Sequence, residues 1–152
     1  MKSFEEYITG AEQLLQSNRP EEALADFESA LKVVPTTLWK MQIGNTIARI
    51  RELTGNREGA TAQFLEVLEV PESEVPEVRE QRALSLNNLG RLSLPQDPKT
   101  AIGYFDQSID SYTTLSEIDG RFFTHLAHSF MARGEAYYLR KKYWYSKKDY
   151  KA

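Results

Sequence analysis

The chain of 152 residues contains no cysteine, which rules out disulfide bonds and thiolate metal centres and fits a reducing compartment. It also lacks any apolar run near the ~20 residues needed to cross a bilayer. The opening "MKSFEEYITG" has no apolar core behind a basic start, so no secretory signal is expected and a cytoplasmic location is. Sustained two-residue alternation of β-branched and polar residues is missing, which argues against strands. None of the sequence signatures G-x-S-x-G, H-E-x-x-H, the phosphate-binding P-loop or G-x-G-x-x-G occurs, so no catalytic residue and no cofactor are expected.

What is present is helical pattern cut by helix-ending chemistry. Hydrophobic residues make up 41% and charged residues 27%, the balance of a globular chain whose folding would bury roughly 70% of its unfolded surface. The segments "SNRP", "VPTT", "TGN", "PESEVPE", "LPQDP" and "EIDG" separate expected helices at about 3–17, 20–33, 38–54, 57–69, 77–93, 98–115, 120–140 and 143–151. Pro20 and Pro98 suit first helical turns, and Asp97 suits an N-cap. The fold class is therefore all-α.

The helices are self-similar. In "RPEEALADFESALKVVP" small alanines at 23 and 30 flank Phe27, where an ordinary core would use leucine. The trio recurs as Ala60, Phe64 and Val67, then as Ala101, Phe105 and Ser108, with Ala60 and Ala101 following 37 and 41 residues after the preceding trio begins. Upstream of each lies a helix with a small residue in its middle: Ala11, Ala48, Gly90 and, in a weaker fourth copy, Gly134. Each unit thus has the form of a helix pair whose axes meet across a small-residue seam, toward the short end of the usual spacing of about 8–10 Å. The aromatic of each trio is the knob that fills the gap.

These residues resemble the tetratricopeptide repeat family. The first unit matches through Tyr7, Ala11, Leu14, Ala23, Phe27, Ala30 and Pro35, and the second through Ile47, Ala48, Gly55, Ala60, Phe64 and Leu68. "LNNLGRL" with Ala101 and Phe105 supplies a third, and Gly134, Tyr137, Tyr143, Ser146 and Tyr150 a partial fourth. Gly10 and Gly44 depart from the pattern. The spacing is closer to the longer repeats of bacterial and signalling members.

The resemblance implies one domain over 1–152, with repeats at about 4–37, 38–75, 76–117 and 118–152, the last incomplete. It implies a right-handed superhelix of antiparallel helix pairs that binds a peptide or partner protein in its concave groove, without catalysis. Matching to the motif places groove residues at Asn45, Arg49, Asn87, Asn88, Arg91 and Glu135, with Glu12 and His128 in further groove positions. Asparagine amides can pair with a peptide backbone, and arginines can fork onto a carboxylate. The family's chaperone-tail clamp is not matched, since Ile8, Glu12, Thr46, Leu84 and Asn88 stand at its positions. The bland alternative is that these are solvated polar residues on exposed faces.

His125 and His128 could share a helical face and a metal, but a third ligand is wanting, and two ordinary helix histidines are expected. Residues 121–152 hold eight Lys/Arg against two acids, a net +6 that leaves −9 on the rest. "YYLRKKYWYSKKDYK" interleaves aromatics with cations as nucleic-acid surfaces do, but repeat positions already account for Tyr143, Ser146 and Tyr150. Nucleic acid and membrane are therefore unlikely partners. Tyr143 and Tyr150 are expected to be buried, and Trp144 exposed and able to support weak self-association. Two other roles compete: a regulatory sensor segment of a longer signalling protein, favoured by a repeat that breaks off, and a dedicated chaperone for one client.

Overall fold

A computed structural model of the chain describes residues 1–151, with side chains as far as residue 144. Among the described residues there are seven α-helices and no strand. They are α1 (Phe4–Gln16), α2 (Pro20–Lys32), α3 (Thr37–Leu53), α4 (Arg57–Val67), α5 (Pro76–Ser93), α6 (Pro98–Ile118) and α7 (Phe123–Lys151), with a 3₁₀ turn at Gly120–Phe122. The chain separates into two compact units, Met1–Ser73 and Glu74–Ala152.

The start of each helix has a local cause. Ser3 and Glu6 form a reciprocal capping box on α1, the Glu6 N–H donating to Ser3 Oγ at 3.2 Å. Thr36, Asn56 and Asp97 accept from the first-turn N–H groups of α3, α4 and α6. Pro20, Pro76 and Pro98 occupy first turns, where a missing N–H costs nothing. After α3 the chain reverses at Gly55, whose φ of 89° is left-handed, and the Asn56 N–H returns to the Arg51 carbonyl at 2.7 Å. Asn18, with φ 57°, does the same after α1.

In the first unit α1 packs on α2, α2 on α3 and α3 on α4. The core joins Phe4, Ala11, Ala23, Phe27, Ala30, Ile43, Ile47 and Ile50. Phe4 also meets Trp39 edge-on at 5.3 Å. Helices α3 and α4 are antiparallel: the C-terminal Arg51 reaches Gly59 and Gln63, while Gly44, further back on α3, faces Val67 at the end of α4.

In the second unit α6 packs on both α5 and α7. Gly90 faces Phe105, and Ala83 clusters with Tyr112 and Leu115, so α5 and α6 are antiparallel. Along α7, Arg133 pairs with Asp106, Ser129 with Ser108 and His125 with Tyr112, which makes α6 and α7 antiparallel too.

The seam positions are buried as the repeat pattern demands. Ala11, Ala23, Ala30, Ala48, Ala60, Phe64, Ala101, Phe105 and Ser108 are fully inaccessible, and Phe27 and Val67 nearly so. The close approach is measurable. A Cβ added at Gly90 would lie 2.6 Å from the Phe105 ring, and one at Gly44 would lie 2.8 Å from Val67 Cγ2. Gly44, a departure from the family pattern, is thus itself a contact point.

The fourth copy is different and corrects the sequence reading. The helices expected at 120–140 and 143–151 are one continuous helix, α7, entered through the 3₁₀ turn. The physical reason is local: "YYLRKKYWY" contains no glycine, proline or capping residue that could stop a helix, and Leu, Arg and Lys favour continuation. Tyr143, expected to be buried against a preceding helix, is 57% exposed. Trp144, at 58%, is exposed as expected. Gly134 lies on the solvent side, with nothing within 4 Å of an added Cβ, and the small residue that α7 buries is Ala136. Ser146 and Tyr150 lie outside the residues whose side chains are described.

Candidate binding surface

The expected groove residues fall into two groups. Asn45 and Asn88 are 7% and 9% exposed, so they sit within the packing and present little to a ligand. Asn88 Nδ2 donates to the Leu84 carbonyl at 2.9 Å, and its Oδ1 accepts from Arg91 at 2.9 Å. Asn88 therefore positions Arg91, whose own side chain is exposed. The expectation of a free amide on an open face does not hold there. Asn87 is half-buried and also committed: Ser129 Oγ donates to its Oδ1 at 2.9 Å.

That bond is one end of a short polar relay. Ser108 Oγ and Ser129 Oγ, both fully buried, are 3.2 Å apart, and Ser108 also reaches the Phe105 carbonyl at 3.0 Å. One residue from each of α5, α6 and α7 is thereby joined, the two serines in the core and Asn87 at its edge. A serine at the third place of the seam trio, where the first unit has Ala30, was the one sequence signal for this relay.

Arg49, Arg91 and Glu135 are exposed, as are Glu12 and His128. Their placement is regular. Glu12 follows Ala11, Arg49 follows Ala48, Arg91 follows Gly90 and Glu135 follows Gly134. In α1, α3 and α5 the residue directly after the buried small residue is charged and exposed; in α7 Glu135 follows the solvent-facing Gly134. Asn45 with Arg49, and Asn87 with Arg91, repeat the same four-residue spacing, which puts each pair on one helix face.

Sequence reasoning missed the charged junction of the first unit. Arg51 at the end of α3 pairs with Glu28 of α2 at 2.9 Å and bonds to Gln63 Oε1 of α4 at 3.3 Å. Gln63 is buried and also donates to Glu66 at 3.3 Å. No local pattern could have announced this, because the partners lie 23 and 12 residues away.

His125 lies flat on Tyr112, with ring centres 5.3 Å apart and an interplanar angle of 12°, and Phe122 completes the aromatic cluster. Burial pushes the Tyr112 phenol well above its ordinary range, and the Glu80 charge adds to the effect. Among the described residues, no three His, Cys, Asp or Glu side chains gather as metal ligands would. No helix among them is long and apolar enough to cross a membrane.

A scan against protein-family models finds no match to the chain, and a search of curated proteins finds none either.

Proposed function

We propose that the chain is a non-catalytic scaffold of the tetratricopeptide type, stacking helix pairs into a solenoid and holding a protein or peptide partner against its first helices. The observation that carries this reading is the charged, exposed residue following the buried small residue of α1, α3 and α5, namely Glu12, Arg49 and Arg91; Glu135 follows Gly134, which faces solvent. Seam packing does not require a charge at that place, yet an exposed charged residue recurs there in α1, α3 and α5. Arginine there can take a carboxylate in a two-pronged hydrogen bond, and glutamate can take a cation. The mixed signs suit a partner segment with both acidic and basic groups. Asn88, which holds Arg91 in position, limits the rotamer entropy lost on binding.

A pull-down from the native host with mass spectrometry identifies the partner, and titration calorimetry then compares variants. Arg49→Ala and Arg91→Ala are expected to weaken binding while leaving the melting curve within about 0.5 kcal/mol of wild type, as for surface changes. Asp110→Ala, an exposed change on α6, serves as the control and should leave affinity unaltered. Unchanged affinity in both arginine variants would remove the first helices as the binding face.

A further inference from the structure

Helix α7 has two faces. Ser129 and Ala136 are buried against α6, and Leu126, Ala132 and Leu139 pack beside them. On the other side stand Phe123, Phe130, Met131, Tyr137, Tyr138 and Trp144, all exposed, with Met131 at 72% and Tyr138 at 65%. At 3.6 residues per turn these six fall within an arc of about 140°, and Gly134 lies near its middle. Single exposed apolar residues are ordinary, but five aromatics and a methionine along one helix face, interrupted by Lys141, mark an interaction surface. Arg133 lies over the Phe130 ring at 5.2 Å from its centre, which leaves Phe130 46% exposed.

The stripe also repeats a face that is occupied elsewhere in the unit. Gly90 on α5 has a large apolar residue, Leu86, four places before it, and its own surface takes the Phe105 ring. Gly134 has Phe130 four places before it, and its surface is open. A glycine in that setting admits another helix at close range.

We propose that the open face of α7 binds α7 of a second copy of this chain, antiparallel and centred on Gly134. Phe130 with Tyr138, and Met131 with Tyr137, lie symmetrically about Gly134, which suits a two-fold pair of identical helices, and charge selects its direction. Residues 123–132 carry no Lys, Arg, Asp or Glu, whereas Arg140, Lys141 and Lys142 are consecutive cations. A parallel pair would set the two cation triplets side by side, at a helix spacing of about 8–10 Å. The antiparallel pair sets each triplet beside the other copy's uncharged half. The triplets then lie about 20 Å apart along the axis, beyond the screening length of about 8 Å at physiological salt.

The same register places Phe130 opposite Tyr138 and Met131 opposite Tyr137, while Ala127 faces the stem of Lys141. Each contact occurs twice, as a two-fold axis requires. Half-exposed aromatic and methionine side chains offer on the order of 100 Å² each, so six give about 600 Å² per copy. That is the lower edge of the range of stable interfaces, so the dimer is reversible and micromolar. This inference does not depend on the partner-binding reading above, since it concerns a different face of the first helices.

The absence of cysteine allows a direct test with single-cysteine variants of the full chain. Under mild oxidation Gly134→Cys should form a disulfide-linked dimer in high yield, while Ala127→Cys and Lys141→Cys should each do so poorly alone. Mixed together, the latter two should cross-link to each other. In sedimentation velocity from about 1 to about 500 µM, a range that brackets an interface of this size, wild type should pass from monomer to dimer. Phe130→Glu should raise the dissociation constant at least about tenfold, as for an interface anchor, with an unchanged circular dichroism spectrum. Equal homotypic cross-linking at 127, 134 and 141 would mean a parallel pair and overturn the proposal. A monomer throughout, with no cross-link at 134, would leave the face to a helix of another protein and overturn it too.

Discussion

Helices α5 and α7 carry the same local device, a glycine one turn after a large apolar residue, in opposite surroundings. At Gly90 the neighbouring helix is present and its aromatic knob stands where a Cβ would be. At Gly134 no side chain is within reach, and the apolar residues around it face solvent. The comparison teaches that a repeat signature records a face, and that the partner for that face must be supplied separately. For α5 the chain supplies it after a turn at "LPQDP", where Asp97 and Pro98 stop one helix and begin the next. Between Tyr138 and Tyr145 the sequence has no glycine, proline or capping residue, and α7 continues as a helix through Lys151.

The largest effect that would sharpen this contrast comes from the aromatics. Phe105→Ala empties a fully buried site at the Gly90 contact and should cost about 3–5 kcal/mol in denaturant melts. Phe130→Ala, the same change on the open face, should fall within about 0.5 kcal/mol when measured well below the dimerisation range. Similar losses at both positions would break the comparison.

A smaller effect is expected where α7 does dock. Ser129→Ala removes the donor to Asn87 and the contact with Ser108, and should destabilise by about 0.5–1.5 kcal/mol per hydrogen bond lost. This relay is uncharged, so its contribution should hardly change between low and high salt. The Arg51 junction of the first unit is ionic and partly exposed, and the cost of Arg51→Ala should shrink as salt rises. Chemical melts at two salt levels on both variants separate the two kinds of tie.

How far the sequence disclosed all this depended on the range of the forces involved. Caps and stops are local, so Pro20, Asp97 with Pro98, and Gly55 marked their helix ends directly. The seam was legible because close packing forbids size: Ala23, Ala30, Ala60 and Ala101 are small for the same reason. The amides were misjudged, because burial is decided by neighbours far along the chain. Asn45 and Asn88 occupy motif positions with open faces in the resemblance, yet here they lie under packing. Helix α7 was misjudged for the converse reason. A repeat pattern suggested a break that no local residue enforces.

The smallest expected effect concerns the cap that starts the knob-bearing helix. The Thr100 hydroxyl donates to Asp97 Oδ2 at 2.6 Å and the Thr100 N–H to Oδ1 at 3.1 Å, and these bonds hold the carboxyl below its ordinary range. A depressed native pKa means that the stabilisation is fully present above the ordinary carboxylate range and is lost as pH falls through the native value. Asp97→Asn, which can still cap, should flatten the acid limb of the stability profile while leaving stability at neutral pH little changed. An identical acid limb in the two proteins would show that the charge on this cap contributes nothing to seating α6 on α5.

The most direct test of the central claim is one substitution made twice. At Gly90 an added methyl group must displace the buried Phe105 ring, so Gly90→Ala should destabilise by about 1–3 kcal/mol despite the better helix propensity of alanine. At Gly134 the methyl group meets open space, so Gly134→Ala should stabilise by about 0.5–1 kcal/mol, the ordinary gain of replacing glycine inside a helix. Equilibrium urea unfolding of the two variants and the wild type, at a concentration where the chain is monomeric, gives both signs. Opposite signs are the result this account predicts. A gain at both positions would contradict it, because Gly90 would then not mark a close approach.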